Sequence, residues 1–308
     1  MARFLVRQQI EETFRQQKSR VFAQKELLQL IDDHLELWIP APSVQSEQLP
    51  LLVKSDQVWD LGHITQRGVL NRLVQEKVLK KIQLPFPHRA YTRFAFGAFS
   101  IFELLQTLDQ DAYFTHYTAM QLHGLTEQVP KNVYLNVEQP ATGGSGELSQ
   151  ERIDRAFKGK PRITGNIIEY EGLRLFKLNG MNTARLGVIP ITVHETSVEI
   201  SVTDIERTLI DIAVRPMYAG GVSEVAKAYA AAAAQCSIPK LVQYLKQLGY
   251  TYPYHQAIGF YLERSGAYSP EQIDHLASIP TSFDFYIAYQ MRNMDYNSRW
   301  KLFVPKGF

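Results

Sequence analysis

The chain has 308 residues, 45% of them apolar and 21% charged, which is typical of a folded protein with room for two domains rather than of a disordered one. No apolar run approaches the roughly 18–20 residues that would cross a membrane, the first residues turn polar too soon for a signal peptide, and a single cysteine, Cys236, excludes an intramolecular disulfide. A cytoplasmic location is therefore expected, and the formal net charge of +2 does not by itself indicate a partner.

Helices dominate the prediction for the first hundred residues. Amphipathic patterns predict one helix over residues 4–17 and a second from about 24 to 34. Residues 39–50 contain three prolines and are expected to be an irregular insertion, followed by a short strand near 51–53. Apolar residues then recur at helical spacing between 64 and 79 and predict a third helix. Its polar face carries Gln66, Arg67, Asn71, Arg72 and Gln75.

A hairpin is predicted directly after this third helix. Residues 79–84 are expected to form its first strand and residues 89–96 its second, with a proline-containing turn between them. Alternation along the second strand places Arg89, Tyr91 and Arg93 on one face, which we expect to point outward. A helix followed by a hairpin with a basic outward face is the plan of a winged helix.

Positive charge is concentrated in the same helix and hairpin. Residues 62–96 contain one acidic residue, Glu76, and seven basic residues, a local excess that is typical of surfaces that bind a phosphate backbone. Arginine, asparagine and glutamine on a helix can read base edges, and basic side chains of a hairpin can hold phosphates. The predicted partner is double-stranded DNA, although a solvated helix with a charged hairpin would have the same pattern. The predicted DNA-binding residues are Gln66, Arg67, Asn71, Arg72, Gln75, Lys80, Lys81, Arg89 and Arg93.

The remainder of the chain predicts a second and larger domain in which helices and strands mix. Residues 132–138 are expected to be a strand, residues 140–146 a glycine-rich loop, and the last third chiefly helical. We therefore predict an α+β fold. A winged helix-turn-helix domain over residues 1–98 is followed by a mixed α/β domain over residues 99–308.

A carboxylate cluster is the main pattern that suggests an enzyme. Asp204, Glu206 and Asp211 would suit a metal-dependent nuclease, because such enzymes hold Mg²⁺ between acidic side chains. The same residues also suit structural roles. Thr203 with Glu206 three residues on is a capping-box pattern, and Arg207 precedes Asp211 by four residues, the spacing of an intrahelical ion pair. The structural roles are the favoured interpretation, and the nuclease is kept as the alternative.

No other sequence pattern predicts catalysis or a cofactor. His116 and His123 lie seven residues apart, but a third ligand at a metal-binding spacing is lacking. The glycine-rich residues 143–146 match no phosphate-binding loop, and the sequence has no nucleophile elbow. The prediction is therefore a protein that is not an enzyme and that has no metal or other cofactor.

Two segments resemble proteins of the AbiEi family. Residues 113–125, Tyr-Phe-Thr-His-Tyr-Thr-Ala-Met-Gln-Leu-His-Gly-Leu, are similar to the segment that opens the C-terminal domain of that family. Residues 202–211, Val-Thr-Asp-Ile-Glu-Arg-Thr-Leu-Ile-Asp, are similar to its Thr-Asp-x-Glu-Arg-Thr-Leu-x-Asp helix, and Arg-Pro and Tyr-Ala-Gly-Gly follow at the expected place. The resemblance covers the region from about 110 to 230.

This resemblance implies an antitoxin of a type IV toxin-antitoxin system, which acts in abortive infection. Such proteins bind inverted repeats at their own promoter through the winged helix and repress transcription. The implied functional partner is a nucleotidyltransferase-like toxin, which the C-terminal domain counteracts without forming a stable complex. A similar Glu-Arg-Thr-Leu-x-Asp pattern occurs in related proteins with an endonuclease-like half, so the nuclease remains one alternative. A stand-alone transcription factor without a toxin is the other.

Overall fold

Two compact units make up the structure, a computed structural model that describes residues 4–40, 48–140, 147–193 and 198–308. The first unit is Met1–Gln110 with Thr192–Ile200, and the second is Asp111–Ile191 with Ser201–Phe308. The described residues form twelve α-helices and fourteen strands, which is a mixed α+β architecture. None of the described helices is both long and apolar enough to cross a membrane.

The N-terminal elements alternate short strands with helices. In chain order they are β1 (Phe4–Val6), α1 (Arg7–Gln16), β2 (Val21–Ala23), α2 (Gln24–Trp38), α3 (Leu49–Lys54), β3 (Val58–Asp60), α4 (Gln66–Gln75), β4 (Lys80–Phe86), β5 (Arg89–Ala95) and α5 (Ile101–Gln106). Strand β5 pairs antiparallel with both β2 and β4, so the sheet order is β2-β5-β4. Strands β1 and β3 form a separate antiparallel pair.

Two predictions about these elements are wrong. The predicted first helix begins only at Arg7, because Phe4–Val6 pairs with Val58–Asp60 as a strand. The short strand predicted near 51–53 is helix α3, whose first turn contains a proline, a residue that suits that position of a helix. Residues 41–47 of the predicted insertion and residues 141–146 of the predicted loop lie outside the described residues.

A buried cluster fixes α4 within the first unit. Val69 and Leu73 of α4 pack in the same cluster as Phe14 of α1 and Trp38 of α2, and all four side chains are fully buried. Complete burial of such a side chain contributes about 1.5–3 kcal/mol. The indole N–H of Trp38 donates to Thr13 Oγ1 at 2.9 Å, so its polar atom is satisfied. One face of α4 is thereby anchored, and the opposite face is left at the surface.

The remaining elements build one large sheet, one small sheet and a set of helices. They are β6 (Tyr113–Phe114), α6 (His116–Leu122), β7 (Asn132–Glu138), α7 (Gln150–Lys158), β8 (Ile167–Tyr170), β9 (Leu173–Gly180), β10 (Val188–Val193), β11 (Val198–Thr203), α8 (Ile205–Val214), a 3₁₀ turn (Pro216–Tyr218), α9 (Val222–Ala232), α10 (Ile238–Leu248), α11 (Tyr254–Ser265), α12 (Pro270–Ala277), β12 (Phe285–Tyr286), β13 (Met294–Asn297) and β14 (Leu302–Pro305). The six-stranded sheet has the order β10-β11-β6-β7-β9-β8, and β12-β14-β13 form a small sheet. The large sheet is mixed, since β7 pairs parallel with β9 but antiparallel with β6.

Helix α8 lies almost entirely buried within the second unit. Every residue from 206 to 213 is buried, and three of them are charged. Its N-cap is Asp204, whose Oδ1 accepts from the backbone N–H of Arg207 at 2.9 Å. The predicted capping box of Thr203 and Glu206 is therefore wrong, because the N-cap is Asp204 and the residue three positions after it is Arg207. Thr203 is still the last residue of β11, and its hydroxyl lies 2.8 Å from the hydroxyl of Thr208.

Candidate functional site

Three polar side chains form a stripe along the exposed face of α4. Arg67, Asn71 and Gln75 are exposed and lie four residues apart, so they follow one another along one side of the helix. The hydroxyl of Thr65 accepts from the N–H of Gly68 at 3.0 Å and fixes the start of the helix just before them. The stripe presents one guanidinium and two amides to solvent.

Basic side chains continue from α4 into the hairpin that follows it. Lys80 and Lys81 of β4 and Arg89 of β5 are exposed. Arg89 pairs with Phe86 at the closed end of the hairpin, and its guanidinium lies 5.0 Å from the centre of the Tyr91 ring. Six of the predicted DNA-binding residues are thus exposed, and we call them the α4–hairpin surface: Arg67, Asn71, Gln75, Lys80, Lys81 and Arg89.

Two other residues predicted to bind DNA are engaged within the fold. Gln66 is half-buried and donates through Nε2 to Asp32 Oδ1 at 2.8 Å. Arg72 is half-buried, forms an ion pair with Glu76 at 2.9 Å, and lies 5.7 Å from the centre of the Trp59 ring. Both side chains would have to leave these contacts before they could hydrogen-bond to a base edge.

The predicted outward orientation of Arg93 is wrong. Arg93 is buried, and its guanidinium donates to Thr107 Oγ1 at 2.8 Å and to the Thr107 carbonyl oxygen at 2.7 Å. Burial lowers the pKa of Arg93 below its ordinary value. Thr107 follows α5 directly, so the residue after this helix holds Arg93 in place. Of Arg89, Tyr91 and Arg93, only Arg89 at the hairpin end is exposed.

A cleft of about 440 Å³ with both charged and apolar lining residues opens in the second unit. Three arginines, Arg162, Arg207 and Arg215, and one carboxylate, Asp211, contribute to its lining. Arg207 and Asp211 lie on α8, and Arg215 follows the end of that helix. The charged lining therefore carries two more positive than negative charges.

A buried ion pair forms one wall of the cleft. Arg207 Nε lies 2.8 Å from Asp211 Oδ1, and the side chains are 5% and 8% exposed. The hydroxyl of Thr115 donates to the other Asp211 oxygen at 2.8 Å, and Arg207 Nη1 donates to the Leu186 carbonyl oxygen at 2.7 Å. Burial alone would lower the pKa of Arg207, but the attraction to Asp211 outweighs it and the pKa is raised. Both charges are paired and hydrogen-bonded, as buried charges require.

A close approach of the chain to α8 supports that wall. Gly187 has φ +71°, and a side chain there would place its Cβ 2.7 Å from Arg207 Cβ and 2.8 Å from Tyr244 Cε2. Both the left-handed backbone and the lack of space therefore require glycine at this position. The preceding residue, Leu186, supplies the carbonyl oxygen that accepts the hydrogen bond from Arg207 Nη1.

His116 is the most unusual residue of the cleft lining. It has φ +53°, in the left-handed region that residues other than glycine rarely adopt. Its side chain is buried, and Nδ1 has no hydrogen-bond partner among the residues that the structure describes. The Tyr218 ring packs edge-on against the imidazole, with the centroids 5.3 Å apart. Burial lowers the pKa of His116 to about 4, so the ring is neutral at pH 7.

The chain shares its fold with a mycobacterial protein. It is similar to the crystal structure of the RV2827C protein from Mycobacterium tuberculosis, with a TM-score of 0.58 and 14% sequence identity over 96% of this chain and 90% of that chain. No protein-family model and no curated protein matches the sequence. The likeness therefore concerns the fold alone.

The three carboxylates of the nuclease alternative have structural partners. Asp204 accepts from the Tyr244 hydroxyl at 2.9 Å in addition to capping α8. Glu206 accepts from the backbone N–H of Ser237 at 2.7 Å, and Lys240 Nζ lies 3.0 Å from Asp204 and 2.9 Å from Glu206. Asp211 is paired with Arg207, and Asp204 and Glu206 share a single cation, Lys240. These contacts agree with the structural roles that the sequence favoured for the three residues.

The two histidines considered as a metal pair have separate surroundings. His123 Nε2 lies 2.6 Å from the Thr203 carbonyl oxygen, whereas His116 lines the cleft. Within the described ranges, no three His, Cys, Asp or Glu side chains are grouped so that they could hold a metal ion. The sequence pattern around His116 did not predict its place in the cleft.

The two segments that carry the family resemblance meet at the cleft. Thr115 and His116 belong to the first segment, and Arg207 and Asp211 belong to the second. The Thr115–Asp211 hydrogen bond joins them across 96 residues of sequence. Taken separately, each segment suggests only structural roles for its polar residues. The sequence signal that could have pointed to this site was therefore the occurrence of these polar residues in both resemblance motifs.

Proposed function

We propose that the chain is a sequence-specific DNA-binding transcriptional regulator. The observation that carries this proposal is the Arg67-Asn71-Gln75 stripe on α4, followed along the chain by exposed cations of the hairpin. Its side chains are those that recognise guanine and adenine in the major groove, and the hairpin side chains are those that contact phosphates. Double-stranded DNA is the ligand that this combination suits.

A winged helix-turn-helix assignment for residues 1–98 belongs to the same proposal. The order α1-β2-α2-α4-β4-β5, with the sheet order β2-β5-β4, agrees with the plan of such a domain. In this assignment α4 is the recognition helix, α2 is the helix that packs behind it, and the β4–β5 hairpin is the wing. The α3 and β3 elements are then an insertion between the two helices.

We further propose that the regulator is the antitoxin of a type IV toxin-antitoxin system and represses its own promoter at inverted repeats. Support comes from the resemblance of residues 113–125 and 202–211 to AbiEi-family proteins and from the meeting of these segments at one cleft. The partner in this proposal is a nucleotidyltransferase-like toxin that is counteracted without a stable complex. Such a regulator acts in the cytoplasm, where we place the protein.

The DNA-binding proposal predicts a loss of sequence-specific affinity in Arg67→Ala. Removal of a contact to a base edge should cost roughly 1–3 kcal/mol of binding free energy for the specific site and little for unrelated duplexes. Arg89→Ala should instead weaken all sequences alike and reduce the salt slope by about one. The measurement is fluorescence anisotropy with a duplex from the region upstream of the gene and with a scrambled duplex, at several salt concentrations.

Arg15→Ala is the matched control for both variants. Arg15 is an exposed arginine of the same unit, but it lies on α1 and forms an ion pair with Glu11. Its replacement should leave both affinities unchanged. Equal affinities of wild type and Arg67→Ala for the upstream duplex would refute α4 as the recognition helix.

The antitoxin proposal predicts rescue of growth. Co-expression of the chain with the product of the adjacent gene should restore growth of cells that this product arrests, and affinity purification should recover no stable complex of the two. Arg67→Ala should lose repression of the promoter yet still rescue growth, because the family resemblance places the antitoxin activity in the C-terminal domain. Failure of the wild-type chain to rescue would favour a stand-alone transcription factor.

A further inference from the structure

We propose that the cleft of the second unit binds a mononucleotide, with its phosphate held by Arg162 and Arg215 and its base directed towards His116. This site is separate from the DNA-binding function proposed above and does not depend on it. All its residues belong to the second compact unit.

Charge indicates that the ligand is an anion. Asp211 neutralises Arg207 through their ion pair, so Arg162 and Arg215 provide the excess positive charge of the lining. The two residues are neighbours, because Arg215 Nη1 lies 3.4 Å from the Arg162 carbonyl oxygen. Arg162 is exposed and Arg215 is half-buried, so the positive charge lies at the accessible part of the cleft. Guanidinium groups bind phosphate oxygens with paired, charge-assisted hydrogen bonds.

His116 indicates that the ligand also has a polar, uncharged part. A buried polar atom without a hydrogen bond costs free energy, and a strained backbone such as that of His116 persists where the surroundings impose it, often at functional sites. Because the imidazole is neutral at pH 7, Nδ1 can donate or accept one hydrogen bond. A ring nitrogen or exocyclic group of a base would supply the partner.

Aromatic and apolar residues indicate that the polar part is planar. The rings of Tyr218 and Tyr250 contribute to the lining, and Tyr218 holds His116 by its edge-on contact. Two large apolar side chains of the lining, Ile163 and Met181, are 58% and 50% exposed. These surfaces suit the faces of a base, whereas a free phosphate would use none of them. The volume of about 440 Å³ also lies in the range of small-molecule sites.

Isothermal titration calorimetry of the full chain tests this proposal. The probes are AMP, GMP, CMP and UMP, each compared with its nucleoside and with inorganic phosphate at pH 7. We expect saturable binding of at least one mononucleotide to one site per chain, tighter than binding of its nucleoside or of phosphate. Mononucleotides that all bind no more tightly than inorganic phosphate would overturn the proposal.

Variants then locate the site. Arg162→Ala and Arg215→Ala should each raise the Kd of the bound mononucleotide roughly tenfold or more, because each removes a charge-assisted contact. Arg155→Ala removes an exposed arginine of α7 that does not contribute to the cleft lining and should leave the Kd unchanged. Arg162 is exposed, so its variant stays informative if Arg215→Ala does not fold. An unchanged Kd in Arg162→Ala would overturn the assignment.

His116→Asn tests the contact to the base. Asparagine tolerates the left-handed backbone of this position, so the variant should fold. We expect it to weaken binding of the mononucleotide but not of inorganic phosphate. In the wild-type protein, addition of the mononucleotide should shift the ¹⁵N resonance of His116 Nδ1. No shift at saturation would contradict a base at His116, and DNA affinity measured on the same variants reports the other unit separately.

Discussion

Arg207→Met is expected to lower the free energy of unfolding of the second unit by about 3–5 kcal/mol, which is the cost of leaving a buried charge unpaired. Asp211 is 8% exposed and would keep only the hydrogen bond from Thr115. Methionine retains most of the apolar stem of arginine, so the loss reports mainly the charge and its hydrogen bonds. The measurement is urea unfolding of the full chain, followed by a probe that is confined to the second unit.

A double variant separates the ion pair from the packing around it. Arg207→Met combined with Asp211→Leu removes both charges and should recover much of the lost stability, because a buried ion pair contributes little more than an apolar pair of similar volume. Arg155→Met, at an exposed position of α7, should change the free energy of unfolding by less than about 0.5 kcal/mol. A double variant less stable than Arg207→Met would contradict this account of the pair.

Local periodicity was enough to predict the main elements of the first unit. Helix α4 has its apolar residues at helical spacing, and Ile82, Leu84 and Phe86 alternate with exposed residues along β4. The elements that the sequence did not predict depend on pairing with residues far away in the chain. Strand β1 has three residues and is defined by its pairing with β3, more than fifty residues later in the sequence. No local pattern of three residues can indicate such a pairing.

Arg93 shows why the orientation of a strand is harder to predict than its existence. Alternation correctly placed Arg93 and Tyr91 on one face of β5, but the choice between the two faces depended on what covers each of them. A basic side chain is usually exposed, and the sequence therefore favoured the outward face. The acceptors that make burial of Arg93 possible are supplied by Thr107, fourteen residues away.

The cleft was beyond prediction because its residues come from separate parts of the chain. Arg162 precedes β8, Arg215 follows α8, and Tyr250 follows α10, so no motif contains them together. The two resemblance segments contain Thr115, His116, Arg207 and Asp211, but of these the sequence predicted an interaction for Arg207 and Asp211 alone, as an intrahelical pair. The long-range hydrogen bond between Thr115 and Asp211 joins these local features into one site.

The stability of the second unit is expected to fall as the pH decreases from about 6.5 towards 4, and His116 should be a principal cause. Burial lowers the pKa of His116 from 6.5 to about 4 in the folded protein. Between these values the unfolded chain binds a proton that the folded chain does not, so acid favours unfolding. The slope for one such proton is about 1.4 kcal/mol per pH unit.

His116→Asn should remove this contribution and flatten the dependence of the free energy of unfolding on pH. Burial also lowers the pKa of His255, which acts in the same direction, so His255→Asn is the matched variant and should remove only its own share. Burial would raise the pKa of Glu138, but hydrogen bonds from Thr183 contribute to outweighing it and the pKa is lowered. The effect of Glu138 therefore begins at more acidic pH, and measurements between about pH 5.5 and 6.5 largely avoid it. An unchanged slope in His116→Asn would mean that the imidazole takes up a proton in the folded state. A charged ring could no longer be the neutral hydrogen-bonding group that the cleft requires, so this measurement also bears on which ligand the cleft can hold.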